Sequence, residues 1–248
     1  MERIVIADEW GQHGIDVRTA ISIGYGEDIS SQCVILPLLD ALQRAQQDTN
    51  IIAFVRSAAG WWNFIDNARS MYPRVQSFFP LGSNNFEQLN VWGAPEPSLI
   101  VTCGAGDEEE KNNTGYGKGL EFWDWDLYQS NPPSSDQSSF SNGIIAGKLL
   151  RIKDTLECSW WEARYRARIT ADRNENNRET WIWDLRNGYG RISVAKAIAA
   201  NYLQIPADPY VPPPSPPPPP NRIKCLSKNY PTKYGTANAI KFERVHIR

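Results

Sequence analysis

Short apolar runs alternate with amphipathic segments over about residues 3 to 203, and this alternation restricts the fold more than any other feature of the chain. The apolar runs predict strands near residues 3–7, 51–55, 75–80, 99–103 and 120–123. Each run is almost continuously apolar, as expected of strands that are buried on both faces of a parallel sheet. The pattern therefore predicts an α/β fold of three layers, in which helices cover both faces of a mostly parallel sheet.

The segment from Phe140 to Leu156 predicts a central, buried helix, because its apolar residues recur at steps of three and four. Gly143 and Gly147 interrupt that helix, and each costs roughly 1 kcal/mol relative to alanine in a helix interior. We therefore expect another backbone to approach the helix closely at these two glycines.

Two other helices are predicted from periodicity and from capping residues. The first runs from Val34 to Gln46 and contains Pro37 in its first turn, where a missing N–H is tolerated. The second runs from Ser159 to Ile169, because Ser159 and Glu162 have the spacing of a capping box.

Size and charge limit the classes of function. The chain has 248 residues, of which 41% are hydrophobic, and a formal charge of -2, so it can bury a large core. It lacks the broad basic field that nucleic-acid binding requires, and no apolar run approaches the roughly 20 residues that cross a bilayer. We therefore expect no nucleic acid and no membrane among its partners.

The N-terminal apolar run and the cysteines indicate the compartment. Met1 leads into a run that is too short for the apolar region of a signal peptide, so we expect a cytoplasmic protein. The four cysteines show no Cys-x-x-Cys spacing, and we expect them to be reduced and buried. No metal and no cofactor are predicted.

Three residue types with catalytic chemistry occur at element boundaries. Ser139 stands at the start of the predicted central helix, where backbone N–H groups and the helix dipole favour a developing oxyanion. Asp8 follows the first apolar run, and His13 follows in the next turn, with Glu9 and Asp16 as alternative carboxylates for its ring. The chain has only two histidines, so a serine and imidazole mechanism must use His13 or the one in the C-terminal tail.

Several stretches of the chain resemble the subtilase family. The stretch from Gln137 to Gly143 resembles the Gly-Thr-Ser-x-x-x-Pro motif that carries the catalytic serine of subtilases at the start of a buried helix. The stretch from Asn187 to Ile198 is similar to the Gly-Tyr-Gly element that closes many subtilase domains. The resemblance implies a subtilisin-like fold with Ser139 as nucleophile, His13 as general base and Asp8 as the orienting carboxylate.

The resemblance also implies where a substrate would bind. Residues 56–60 match the small-residue segment that pairs with the substrate backbone, which makes Ser57, Ala58 and Gly60 candidate contacts. Residues 81–85 resemble the segment whose asparagine donates to the oxyanion. Asn84 is the candidate donor, and Asn85 and Ser83 are the alternatives in register.

The predicted function is that of a serine endopeptidase, which cleaves a peptide or protein substrate through an acyl-enzyme. The alternative is a catalytically inactive subtilisin-like protein that binds or supports a larger assembly. Two departures from the family favour this alternative, namely the altered serine motif and the separation of Asp8 and His13 by only four residues.

The chain is predicted to divide into three parts. Residues 1–205 form the subtilisin-like domain, and residues 206–220 contain a proline run that predicts a stiff linker. Residues 221–248 form a basic tail in which residues 239–247 alternate as an edge strand does. The linker and the tail are therefore candidate contacts for a protein partner.

Overall fold

A six-stranded sheet organises residues Met1–Asp208, which form the larger of two compact units. The computed structural model describes residues 1–9, 11–56, 64–81, 87–89, 98–105, 116–117, 119–125, 137–172, 188–201, 203–208, 224–232 and 235–243. The strands of this unit are β1 (Ile4–Ala7), β2 (Cys33–Leu36), β3 (Ala53–Arg56), β4 (Gln76–Pro80), β5 (Glu87–Leu89), β6 (Leu99–Ala105), β7 (Tyr116–Gly117) and β8 (Leu120–Trp125).

The large sheet has the spatial order β2-β1-β3-β4-β6-β8, and each of its described pairings is parallel. Strands β5 and β7 pair with each other in a separate, two-stranded sheet. The parallel sheet and its five predicted strands are thereby confirmed. Pleating explains why the runs are continuously apolar, because Ile4 and Ile6 enter one core while Val5 and Ala7 enter the other.

Helices cover both faces of the sheet. They are α1 (Gln12–Tyr25), α2 (Leu38–Gln47), α3 (Phe64–Met71), α4 (Gln137–Leu156), α5 (Trp160–Thr170) and α6 (Val194–Ala199). Helices α1 and α4 pack on one face, with α5 and α6 against α4, while α2 and α3 pack on the other. The arrangement is the predicted three-layer α/β/α. No helix in the described part of the chain is both long enough and apolar enough to cross a membrane.

Helices α1 and α4 approach each other more closely than side chains would allow. A Cβ added to Gly147 would lie 2.1 Å from the Ile21 carbonyl oxygen, and one added to Gly143 would lie 2.9 Å from that of Val17. On the opposite helix, a Cβ at Gly24 would lie 2.0 Å from the Ile144 carbonyl oxygen. The close backbone approach expected at Gly143 and Gly147 is confirmed, and α1 supplies it.

The predicted helix from Val34 to Gln46 is wrong in its first part. Residues Cys33–Leu36 form strand β2, which pairs in parallel with β1 and places Val34 opposite Val5. Helix α2 begins only at Leu38, after Pro37 with a φ of -54°. A residue before proline is disfavoured in the helical region, and the branched side chains here suit a strand, so sheet pairing outweighs the helical periodicity.

The second compact unit, Pro209–Arg248, contains an antiparallel hairpin of β9 (Lys224–Thr232) and β10 (Gly235–Glu243). An edge strand was expected over residues 239–247, and the described strand starts four residues earlier, at Gly235. Residues 209–220 of the predicted proline-rich linker lie outside the described residues.

The first unit extends slightly beyond the predicted boundary at residue 205. Trp161 donates its indole N–H to the Pro206 carbonyl oxygen at 2.8 Å, and the Tyr72 hydroxyl donates to the Asp208 carboxylate. Residue 206 therefore contacts α5, residue 208 contacts the residue that follows α3, and the start of the proline-rich stretch packs on the domain.

Candidate active site

Asp8 and His13 contact each other at the carboxyl end of β1. The His13 Nδ1 atom lies 2.6 Å from the Asp8 Oδ2 atom, a distance typical of a charge-assisted hydrogen bond. The Asp8 side chain is fully buried, and that of His13 is 11% exposed. The Asp8 amide donates to the Leu36 carbonyl oxygen at 3.0 Å, so pairing with β2 fixes the turn that presents the carboxylate.

The turn between β1 and α1 brings these two side chains together over a short stretch of chain. Gly11 adopts a positive φ of 30° directly before the helix, a backbone region that favours glycine. Gly14 follows His13, and a Cβ there would lie 3.1 Å from the Asp8 Cβ and 2.8 Å from the Ile35 side chain. The absence of a side chain at Gly14 lets α1 pack directly on the carboxylate.

The structure distinguishes among the candidate carboxylates. Asp8 contacts the His13 ring, whereas the Asp16 carboxylate accepts a hydrogen bond from the Gln12 side chain at 2.9 Å. Glu9 is exposed. The geometry therefore joins His13 to Asp8.

Ser139 lies in the first turn of α4 and is 6% exposed. The next residue, Phe140, packs against the imidazole, with 5.6 Å between the His13 and Phe140 ring centroids. The first turn of α4 is thus directly beside the Asp8 and His13 pair. Ser138 is equally buried, at 4% exposure.

Polar side chains that follow Ser139 tie the start of α4 to the strand ends. Asn142 is fully buried, donates from its side-chain amide to the Arg56 carbonyl oxygen at 2.7 Å, and accepts from the Thr102 hydroxyl at 2.7 Å. The Ser141 hydroxyl donates to the Asp124 carbonyl oxygen at 2.9 Å. These bonds join α4 to β3, β6 and β8 and hold its first turns in place.

Sequence reasoning did not assign a role to Ser141 or Asn142. The available signal was their position, since polar residues within an otherwise apolar, buried helix must find hydrogen-bond partners. Their partners come from three strands far away in the chain, so no local pattern identifies them.

Comparison with solved structures decides the fold. No family model matches the chain, and no curated protein matches it. The Prenylagaramide maturation protease PagA superposes with a TM-score of 0.55 at 16% identity, over 80% of this chain and 92% of that chain. The psychrophilic subtilisin-like protease Apa1 from the Antarctic psychrotroph Pseudoalteromonas sp. AS-11 superposes with a TM-score of 0.57 at 9% identity. The match covers 80% of this chain and 88% of that chain.

A third structure agrees with these two. Fervidolysin from Fervidobacterium pennivorans, a keratinolytic enzyme related to subtilisin, has a TM-score of 0.52 at 14% identity, over 72% of this chain and 33% of its own. The chain has a subtilisin-like fold. Identities of 9% to 16% establish the fold alone, so the catalytic assignment has to rest on the residues of this chain.

The remaining predicted site residues of the subtilisin-like domain are not described. Asn84, with its alternatives Asn85 and Ser83, lies outside the described residues, as do Ser57, Ala58 and Gly60. Their neighbours β3 and β4 both end at the same edge of the sheet as β1, because the strands are parallel.

That edge contains the point at which the chain changes direction across the sheet. From β1 the chain first adds β2 on one side, and it then crosses to add β3, β4, β6 and β8 on the other. Open α/β sheets bind ligands in the crevice outside the strand ends at such a point. In this subtilisin-like domain, Asp8 follows one of the two bordering strands, and Arg56 ends the other.

Proposed function

We propose that the chain is a serine endopeptidase of subtilase type that acts through an acyl-enzyme. The observation that carries the proposal is the 2.6 Å contact between His13 and Asp8, beside the helix turn that contains Ser139. The subtilisin-like fold supports the same conclusion, because the solved proteins of this fold named above are described as proteases or as related to subtilisin. Peptide or protein chains are the substrate class.

In the proposed reaction, the Ser139 Oγ atom attacks the carbonyl carbon of the scissile peptide bond. The His13 Nε2 atom accepts the serine proton and later donates it to the leaving amine. Asp8 holds the imidazole in the required tautomer through Nδ1 and stabilises the imidazolium that forms. Water then attacks the acyl-enzyme, with His13 again as the base, and the acid product leaves.

The negative charge of the tetrahedral intermediate needs hydrogen-bond donors. The start of α4 supplies backbone N–H groups at the positive end of a helix, and Asn84 is the proposed side-chain donor. Removal of one such donor in a comparable site typically costs about 3 to 4 kcal/mol of transition-state stabilisation. Ser57, Ala58 and Gly60 are proposed to pair with the substrate backbone.

Covalent labelling with a fluorophosphonate tests the proposal. We expect the reagent to label Ser139, and Ser139→Ala and His13→Ala each to abolish labelling. Ser138→Ala is the matched control, since it removes the neighbouring buried hydroxyl and should retain labelling. Mass spectrometry of the digested adduct locates the label. Absence of labelling in the folded wild-type protein would contradict the proposal.

A catalytically inactive binding protein of the same fold is the second candidate, and the β9–β10 hairpin favours it. Two strands alone are marginally stable in water, so a hairpin of this length suits attachment to a further strand or surface. In this case the proline-rich stretch and the basic tail contact a protein partner. A wild-type protein that is folded, unlabelled and inactive on a peptide library is the result that identifies this function.

A further inference from the structure

Arg56 is a buried cation at the carboxyl edge of the sheet, beside the proposed catalytic pair. It is the last residue of β3 and lies opposite Ala7 in the parallel pairing with β1, one position before Asp8. The residue is only 7% exposed. Its carbonyl oxygen accepts the 2.7 Å hydrogen bond from Asn142, so the backbone of Arg56 is fixed relative to the start of α4.

The guanidinium of Arg56 contains one buried donor that forms no hydrogen bond within the described part of the chain. This donor is the Nε atom. Burial lowers the pKa of Arg56, while the negative charges of Glu9 and Asp8 act in the opposite direction. The Asp8 carboxylate is already engaged by His13, and Glu9 is exposed to solvent.

The Arg56 guanidinium is destabilised at its buried Nε–H group, because a donor that has lost water without gaining an equivalent partner is costly. Its planar array of donors matches a carboxylate in a two-pronged geometry, and such charge-assisted pairs are about twice as strong as neutral hydrogen bonds. On α5, Arg164 obtains this arrangement from both carboxylate oxygens of Glu121, and Arg168 donates to the same carboxylate through Nε. The Arg56 Nε atom has no such partner among the described residues, and Arg56 ends β3 at the edge where open α/β sheets bind ligands.

We propose that Arg56 is a specificity-determining residue that binds the carboxylate of an aspartate or glutamate side chain of the substrate, close to the scissile bond. This inference rests on the proposed peptidase function, since it specifies which peptides that site accepts. In this proposal, the Glu9 carboxylate competes with the substrate carboxylate for Arg56 and so weakens the preference for an acidic substrate side chain.

Paired peptide substrates test the inference. A fluorogenic peptide cleaved by the wild-type protein is varied at each position on both sides of the scissile bond, with glutamate in one member of each pair and glutamine in the other. At one position, we expect kcat/KM to be higher for glutamate by about tenfold or more, the factor that corresponds to 1.4 kcal/mol. The preference should decrease as salt is added.

Variants of Arg56 and Glu9 test whether the Arg56 side chain itself causes the preference for glutamate. Arg56→Met keeps the apolar stem and should reduce the glutamate to glutamine ratio to about one. Arg56→Lys keeps the charge but loses the two-pronged geometry, so it should retain part of the ratio. Glu9→Gln should raise the ratio by removal of the competing carboxylate. Arg44→Met is the matched control, since this exposed arginine of α2 pairs with Glu2 and should leave the ratio unchanged.

A wild-type ratio of about one at every position would overturn the inference, as would an unchanged ratio in Arg56→Met. If Arg56→Met fails to fold, the wild-type ratio and its increase in Glu9→Gln decide the question.

A binding measurement separates the inference from the proposed function. Fluorescence anisotropy with Ser139→Ala should show tighter binding of the glutamate peptide, even if wild-type Ser139 resists the fluorophosphonate.

Discussion

The Glu121 carboxylate is almost completely buried, and two arginines compensate its charge. Arg164 donates to it from Nε at 2.6 Å and from a second nitrogen, and Arg168 donates from Nε at 2.8 Å. Burial by itself would raise the pKa of Glu121, but the two guanidinium groups outweigh it and hold that pKa below its usual value. The cluster joins β8 to α5, so it fixes α5 behind α4 through charge rather than through apolar packing alone.

We expect Glu121→Gln to lower the free energy of unfolding by about 3 to 5 kcal/mol at pH 7, because it leaves two buried guanidinium groups without their carboxylate. Since the pKa is lowered on folding, the stabilisation is complete above the unfolded pKa of about 4.3 and is lost as pH falls through the lower folded pKa. Urea unfolding at several pH values should show the difference shrink below about pH 4. Glu27→Gln breaks the exposed pair with Arg151 and should change the free energy of unfolding far less, because solvent screens that pair. A pH-independent difference would contradict this account.

The contact between Asp8 and His13 makes a second prediction at the scale of single residues. In the proposed peptidase, Asp8→Asn should reduce peptide turnover by about 10⁴-fold, because the amide favours the wrong tautomer of the ring. Asp16→Asn is the control, since Asp16 bonds to Gln12 on the surface of α1 and should leave turnover unchanged. Peptidase assays on variants with wild-type melting temperatures measure the effect. An equal loss of turnover in both variants would show that turnover depends on negative charge near α1 rather than on the contact between Asp8 and His13.

At the scale of elements, the contact between α1 and α4 positions the site. His13 is in the first turn of α1, and Ser139 is in the first turn of α4. The glycines let the two helix backbones touch, and close packing leaves little freedom for one helix to shift against the other. The distance between the two helix starts is therefore set by backbone contact rather than by flexible side chains.

Gly147→Ala should destabilise the domain although alanine has the higher helix propensity. The new methyl group would lie 2.1 Å from a backbone oxygen of α1, so the helices must separate. We expect a loss of about 2 kcal/mol or more, which exceeds the gain of roughly 1 kcal/mol in propensity. Thr155→Ala on the exposed side of α4 is the control and should change stability by under about 0.5 kcal/mol. An unchanged melting temperature for Gly147→Ala would refute the close approach.

The elements show which parts of the fold are predictable from sequence. Continuous apolar runs sufficed for five strands of the sheet, since burial on both faces leaves a pattern within each run. The periodicity places residues 34–36 of β2 in a helix, because Ile35 also fits the helical period, and only pairing with β1 decides for a strand.

The candidate site likewise contains both contacts within one short segment and contacts between distant segments. The subtilase resemblance suggests the pairing of Asp8 with His13, and the short separation of the two residues leaves Glu9 and Asp16 as alternatives until the fold shows the contact. Arg56 and Asn142 are joined by a hydrogen bond although they lie 86 positions apart, and a single sequence does not reveal such a contact. Their partners depend on how the parallel strands are ordered, and that order is a property of the folded sheet.

At the scale of the whole molecule, the end of the first unit can be located by truncation. A chain that ends after Asp208 keeps the contacts of Trp161 with Pro206 and of Tyr72 with Asp208. We expect its melting temperature to match that of the full chain. A chain that ends after Leu203 loses both contacts and should melt several degrees lower, since about 1 kcal/mol shifts the midpoint by roughly 2–4 °C in a domain of this size. A much lower melting temperature for the chain that ends after Asp208 would show that residues 209–248 stabilise the domain.

The position of the site along the chain also has a consequence for biosynthesis. His13 and Ser139 are 126 positions apart, and ribosomes add about 5–20 residues per second, so the histidine precedes the serine by on the order of ten seconds. The parallel strands between them cannot pair until their crossovers are complete, and such distant pairings form slowly. A nascent chain therefore carries its imidazole and carboxylate without a reactive hydroxyl beside them. In the proposed peptidase, the cell is protected from proteolysis by half-folded molecules, because the last helix to dock on α1 is the one that carries the nucleophile.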